Sequence, residues 1–344
     1  MATRPVHLVT GFLGSGKTTL IARMLRDPAF SDTAVVINEL GEVGLDHLLV
    51  DHGSEDDVVL LESGCLCCAL GNSLQETLES LHYRRERAEL PAFVRVVVET
   101  TGVADPGPIA ATLGLDSAIA RHYHLGSIVT VVDAVHGIDQ LARFGEAGRQ
   151  VAMADRLIVS KGDLADADTI ARLDAALAAR NPHAPRLAVI AGNVAVDEVF
   201  ADARHGHAWG RYAMSVDCDT THRHAPGGEE TPHAHLDAQR IATTTIRLAQ
   251  PLDWPRYAGW VQWTQRTFGD SLLRMKGAVR MADGSVNALH AVMHLFSAPA
   301  PMQSLPESIG YGVIVLITQD AAPALLAEAR ERIAGPIAVA LERH

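Results

Sequence analysis

The sequence predicts an α/β fold, a mostly parallel sheet flanked by helices, followed by a smaller C-terminal α+β domain. Three observations carry this. Short β-branched runs recur at AVVIN from 34, VRVVVE from 94, SIVTVV from 127, RLIVS from 156 and RLAVI from 186. Helical stretches separate them, and continuously apolar strands between helices belong to a parallel sheet covered on both faces. From Ala203 to Asp237 the pattern gives way to Gly, Pro, Thr, His and acid with little periodicity, which marks a linker or long surface loop. The expected organisation is therefore residues 1–202, a His-rich segment 203–238, and a second domain 239–344.

Composition narrows the function classes. With 344 residues, 48% of them hydrophobic, the chain has material for two cores. A formal net charge of −12 argues against a nucleic-acid surface, which needs a basic face. No apolar run reaches membrane-spanning length, and MATRPVHLV lacks the charged start and long apolar stretch of a secretory signal. The expectation is a soluble cytoplasmic protein with neither nucleic-acid nor membrane partners, a monomer or weak homo-oligomer. Its 4 cysteines cannot build a disulfide framework, and a reducing compartment keeps them as thiols.

The first strand, Val6 to Thr10, leads into GFLGSGKT, Gly11 to Thr18, and then into an apolar-periodic segment from Thr19 to Arg26. This is the strand, G-x-x-x-x-G-K-[ST] and helix context of a phosphate-binding loop rather than of a chance glycine-rich turn. Gly11, Gly14, Ser15, Gly16, Lys17, Thr18 and Thr19 are the candidate nucleotide contacts. Glycines let the backbone amides wrap the phosphates, Lys17 reaches the outer ones, and the Thr18 hydroxyl can ligate Mg²⁺. The strand from 94 ends in Glu99, placed as a carboxylate that would hold Mg²⁺ directly or through water. Lys17, Thr18 and Glu99 are thus the candidate catalytic set.

The strand from 156 is followed by Ser160-Lys161-Gly162-Asp163. A carboxylate there can accept from guanine N1–H and the 2-amino group, neither of which adenine offers. The usual pattern is Asn-Lys-x-Asp, and serine replaces its first residue. Asp163 could instead cap a helix over 164–180. Taken with the phosphate loop, the motif points to GTP.

The stretch ESGCLCC holds Cys65, Cys67 and Cys68. VVLLES before it reads as a strand, and Ser73-Leu74-Gln75-Glu76 after it as a capping box opening a helix with Leu74, Leu78 and Leu81 on one face. The cysteines are therefore expected in a loop between strand end and helix start. Three soft ligands suit Zn²⁺ or Cu(I), one short of a closed zinc site. Glu42, with Glu39 behind it, is the candidate extra ligand from another strand end. Buried structural thiols or a redox pair at Cys67 and Cys68 are the alternatives.

In this order, GFLGSGKTT, NELGEVGLD, ESGCLCCAL, ETTGVADPGPI, VVDAVH and SKGD, with LLRMKGAV and ALHAVMHLF beyond 239, resemble the CobW-type family of P-loop GTPases, whose characterised members handle metals. The resemblance implies a P-loop NTPase domain with a CobW-type C-terminal domain. It matches Cys65, Cys67 and Cys68 to the metal motif, Glu99 to the acidic Mg²⁺ motif and Ser160 to Asp163 to base recognition. The function it implies is a GTP hydrolase that holds Zn²⁺, or Co²⁺, and delivers it to a metalloenzyme client. Two other functions fit the same motifs. One is a cobalt or iron insertase for cobalamin synthesis or nitrile hydratase. The other is a nucleotide-regulated metal buffer or sensor, in which the His-rich linker, with its pairs His205 and His207, His222 and His224, His233 and His235, stores ions; Cys218 in the same segment is either a stray thiol or an extra ligand.

In the second domain IATTTIRL alternates as a strand, and Trp254, Tyr257, Trp260, Val261, Thr264 and Phe268 recur at helical spacing as core. Arg274, Lys276, His290 and His294 flank strand-like runs without an assignable role.

Overall fold

The computed structural model describes residues 3–37, 58–60, 66–69, 73–190, 192–200 and 241–334, with backbone only at 58–60, 66–69 and 115. The chain divides into two compact units, Met1–Ala203 and Arg204–His344. The first carries β1 (Arg4–Thr10), β2 (Thr33–Ile37), β3 (Val58–Leu60), β4 (Leu66–Ala69), β5 (Arg95–Glu99), β6 (Tyr123–Asp133), β7 (Arg156–Ser160) and β8 (Arg186–Ala188). Its helices are α1 (Lys17–Met24), α2 (Leu74–Glu86), α3 (Pro106–Leu115), α4 (Gly137–Arg143), α5 (Gly145–Met153), α6 (Ala167–Arg180) and the single turn α7 (Val196–Val199).

These strands form one sheet in the order β3-β4-β2-β5-β1-β6-β7-β8. Every described pairing is parallel except β3 with β4. Helices cover both faces, as the unbroken apolar runs require. On one, Leu20, Ile21 and Met24 of α1 pack on Val9, Val35, Val97 and Ile158. On the other, Leu141, Val151, Leu173 and Leu177 pack on Val132, Leu157 and Val159. Each such buried aliphatic side chain contributes about 1.5–3 kcal/mol relative to exposure. Apart from β3 the strands run the same way, so their carboxyl ends gather on one rim.

One expectation needs correction. Cys67 and Cys68 are not in a loop but within β4, which pairs in parallel with β2 and antiparallel with β3. Free cysteine behaves as a small hydrophobe, and Leu66-Cys67-Cys68-Ala69 is long enough to extend the sheet. A second ambiguity is settled by α6. Its N-cap is Asp166, which accepts from the Thr169 amide at 2.7 Å, while Asp163 lies earlier in the 3-10 turn Gly162–Leu164 and is exposed. Ser73 caps α2 as expected, accepting from the Glu76 amide at 3.2 Å. Among the described residues no helix is long and apolar enough to cross a membrane.

The second unit holds β9 (Ile241–Arg247), α8 (Trp254–Phe268), β10 (Leu272–Arg280), β11 (Val286–Val292), β12 (Leu295–Phe296), β13 (Ala300–Pro301), β14 (Gly312–Gln319) and α9 (Pro323–Ala334). The sheet runs β12-β11-β10-β14-β9, with β13 on β11, and its described pairings are all antiparallel. Tyr257, Trp260, Thr264 and Phe268 of the aromatic stripe are buried, and the Trp260 indole donates to the Ala329 carbonyl at 2.9 Å, joining α8 to α9. Trp254 departs from the core reading: it is 40% exposed and its indole donates to Asp283. Met275 joins the core under α8 and α9, and Arg274 and Lys276 take the alternate positions along β10, both buried. His290 stands opposite Lys276 in register, and His294 lies 3.9 Å from Asp270 at the surface.

Candidate functional site

The rim of the parallel sheet begins with the loop Gly11–Gly16 between β1 and α1. Gly14 and Gly16 have φ of 71° and 92°, the left-handed backbone that turns successive amides toward one concavity. Lys17, the first residue of α1, is only 6% exposed, and its ammonium donates to the Gly11 carbonyl at 2.8 Å. The lysine thus folds back over the loop it follows, at the helix N-terminus where an anion is favoured.

Beside it, the Thr18 hydroxyl donates to Glu99 Oε1 at 2.6 Å, and Glu99 is 3% exposed. The chain order of strands explains the meeting: β1 pairs with β5, with Val9 opposite Glu99, so the carboxylate arrives next to the first turn of α1. A hydroxyl and a carboxylate are hard oxygen donors, the set that suits Mg²⁺. The following loop presses on the phosphate loop. A Cβ on Gly102 would sit 2.5 Å from the Leu13 side chain, so only glycine permits this approach.

The third strand end is that of β7. The Ser160 hydroxyl donates to the Ser15 carbonyl at 2.6 Å, so the serine that replaces asparagine still ties this motif to the phosphate loop. Lys161, in left-handed conformation with φ 56°, donates to the Gly14 carbonyl at 2.7 Å and to Asp133 Oδ2 at 2.7 Å. Asp163, two residues on, faces solvent, as does Thr19.

Sequence reasoning did not foresee several residues that join these loops. Gln150, fully buried on α5, donates to the carbonyls of Gly102 at 3.2 Å and Ala104 at 3.0 Å. Next to it Arg149 pairs with Asp105 at 2.9 Å, and Asp105 caps α3 by accepting from the Gly107 amide. Gln140 of α4 donates to the Leu13 carbonyl at 3.4 Å. The available signals were a carboxylate ending a strand, Asp133, and a polar residue on the buried side of an amphipathic helix, Gln150.

The thiol strand stands close in the sheet. β2 separates β4 from β5, with Val36 opposite both Cys68 and Val98, and Ile37 opposite both Ala69 and Glu99. At about 4.8 Å per strand, the backbones of Cys68 and Glu99 lie roughly 10 Å apart. Cys65, Glu39, Glu42, Cys218 and the His-x-His pairs fall outside the described residues. Among the described residues no group of three or more His, Cys, Asp and Glu is placed to hold a metal ion.

Comparison with known proteins decides the family. Residues 5–188 match the CobW/HypB/UreG nucleotide-binding domain, and residues 241–333 match the cobalamin synthesis protein cobW C-terminal domain. The chain belongs to the CobW/HypB/UreG family. It is similar to the zinc chaperone YjiA of Escherichia coli (strain K12), at 32% identity over 298 residues, 85% of this chain and 87% of that protein. It is also similar to the zinc-regulated GTPase metalloprotein activator 1 of Schizosaccharomyces pombe, 37% identical over 172 residues, which span 48% of this chain and 41% of that one. The crystal structure of Zn(II)-bound YjiA GTPase from E. coli matches with a TM-score of 0.70 at 27% identity, covering 96% of this chain and 98% of that chain. The family and the α/β fold expected from the motifs are both borne out.

Proposed function

We propose that this chain is a GTP-dependent zinc metallochaperone of the cytoplasm, which holds Zn²⁺ at its cysteine-rich segment and passes it to a metalloenzyme client as GTP is hydrolysed. The observation that carries the reading is the strand order: the cysteine strand β4 and the Glu99 strand β5 flank the same strand, β2. A loop that shifts with the nucleotide at Glu99 is then a short lever from the thiols. The related zinc chaperones and the Zn(II)-bound GTPase support the choice of metal and nucleotide.

In this reading Cys65, Cys67 and Cys68 bind the cargo as thiolates, with Glu42 as the exchangeable fourth ligand. The phosphate-loop amides and Lys17 orient the triphosphate, and Lys17 stabilises charge developing on the transferring phosphoryl group. Thr18 and Glu99 would hold Mg²⁺, which when bound neutralises charge on the phosphates. Ser160 keeps the base motif against the phosphate loop, and Asp163 accepts from guanine. Gln150 and Arg149 hold the loop after Glu99 in place.

Phosphate release from GTP and from ATP tests the enzymatic half. The expected outcome is Mg²⁺-dependent hydrolysis of GTP well above that of ATP, lost by about 100-fold or more in Lys17→Ala. Equal turnover of the two nucleotides, or full activity in Lys17→Ala, would contradict it.

A further inference from the structure

Among the motifs of the first unit, VVDAVH has no part in the mechanism above. It ends β6 at the rim with Asp133, which is 1% exposed. One carboxylate oxygen serves the turn that follows, with Oδ1 accepting from the amides of Val135 at 2.7 Å and His136 at 3.2 Å. The other serves a different strand, with Oδ2 accepting from Lys161 Nζ at 2.7 Å. Burial pushes the Asp133 carboxyl up, but the bond from Lys161 and the two amides outweigh it and hold it below its ordinary range. The buried charge is therefore fully partnered, and one of its partners is the lysine of the base motif.

The lysine needs this hold. Its side chain is 37% exposed, and a four-carbon stem in solvent samples many rotamers. Here its ammonium is fixed at two points, Asp133 Oδ2 and the Gly14 carbonyl, each at 2.7 Å. The stem is thus stretched from the end of β7 to the phosphate loop, with one side open. Its backbone sits in the left-handed region, uncommon for a residue with a Cβ and maintained by this packing.

We propose that Asp133 is the positioning residue of the base pocket: it pins Lys161 so that the extended stem forms an apolar wall for the guanine face, next to the carboxylate of Asp163. The inference rests on the GTP reading above and adds to it a residue outside the base motif that sets guanine affinity. The competing role is local, a cap for the turn at Val135 and His136 and nothing more.

Asp133→Asn separates the two roles. It keeps an acceptor for the turn amides and replaces the charge facing Lys161 with an amide. The probe is a fluorescent GDP analogue, titrated into wild type, Asp133→Asn, Lys161→Met and the double variant, alongside melting of the nucleotide-free proteins. Loss of a charge-assisted hydrogen bond that orders the pocket predicts roughly tenfold weaker binding in Asp133→Asn. In the Lys161→Met background the same change is expected to weaken binding by less than about twofold, because the two residues act as a unit. Lys161→Met also tests the pair without altering the buried carboxylate, and a comparable loss is expected from it alone. Wild-type affinity in either single variant, or equal losses in both backgrounds, would overturn the positioning role while leaving the GTP reading intact. Failure of wild type itself to bind the guanine nucleotide would overturn both.

Discussion

The two ends of the parallel sheet differ in what their polar side chains hold. At the carboxyl ends, side chains bond to backbone carbonyls of neighbouring loops: Lys17 to Gly11, Ser160 to Ser15, Lys161 to Gly14, Gln150 to Gly102 and Ala104. At the amino ends, side chains brace one another. Arg4 reaches His82 at 3.5 Å and Glu86 at 3.4 Å, His82 stacks on His122 with ring centroids 3.6 Å apart, and Thr3 bonds His124 at 2.8 Å. Ties to backbone carbonyls fix the course of a loop, which a phosphate or a metal needs. Bracing between side chains fastens helix ends to strands, which stability needs. Substitutions at the first end are therefore expected to change chemistry with little effect on folding, and those at the second to do the reverse.

The larger expected effect is at Gln150. Gln150→Met keeps the volume and loses both donors to the loop after Glu99. GTP hydrolysis is expected to fall about tenfold, with GDP affinity unchanged within about twofold, since the loop and not the base pocket is released. Single-turnover hydrolysis beside equilibrium GDP binding measures both. A matching loss in melting temperature with unaltered hydrolysis would break the contrast, because it would make Gln150 a bracing residue.

At the other end the effect is on pH. Burial, then the neighbouring His122 and Arg4, lower the His82 pKa from 6.5, against Glu86, which raises it. The folded state therefore resists a proton that the unfolded chain accepts below 6.5. The contribution is fully present above that value and is lost as pH falls through it toward the folded pKa. Melting temperatures between about pH 5.5 and 8 should decline on the acid side in wild type and decline less in His82→Gln, with GDP affinity at neutral pH the same in both. Parallel curves for the two proteins would remove His82 from the account.

What was legible in the sequence follows from the range of the interactions. The phosphate loop is a local pattern, and the strand and helix beside it appear where its residues require them. Glu99 was legible because a strand end can be read from an apolar run. β4 was not, because its cysteines read as ligands before they read as strand residues, although Leu66 and Ala69 flank them. Asp163 and Asp166 both suit a helix start, and only the structure assigns the cap to Asp166. Asp133 and Gln150 act on groups 28 and 46 to 48 residues away, contacts that strand order creates and no local window contains.

The central claim is that nucleotide state controls the metal, and a zinc competition titration tests it most directly. A chelating indicator is titrated against protein loaded with a Mg-GTP analogue, with GDP, and with no nucleotide, for wild type and for Cys67→Ala. The account predicts one tight equivalent of Zn²⁺ whose affinity shifts at least about tenfold with nucleotide and which disappears with the thiol. Tight zinc binding that ignores the nucleotide, or that survives in Cys67→Ala, would contradict it.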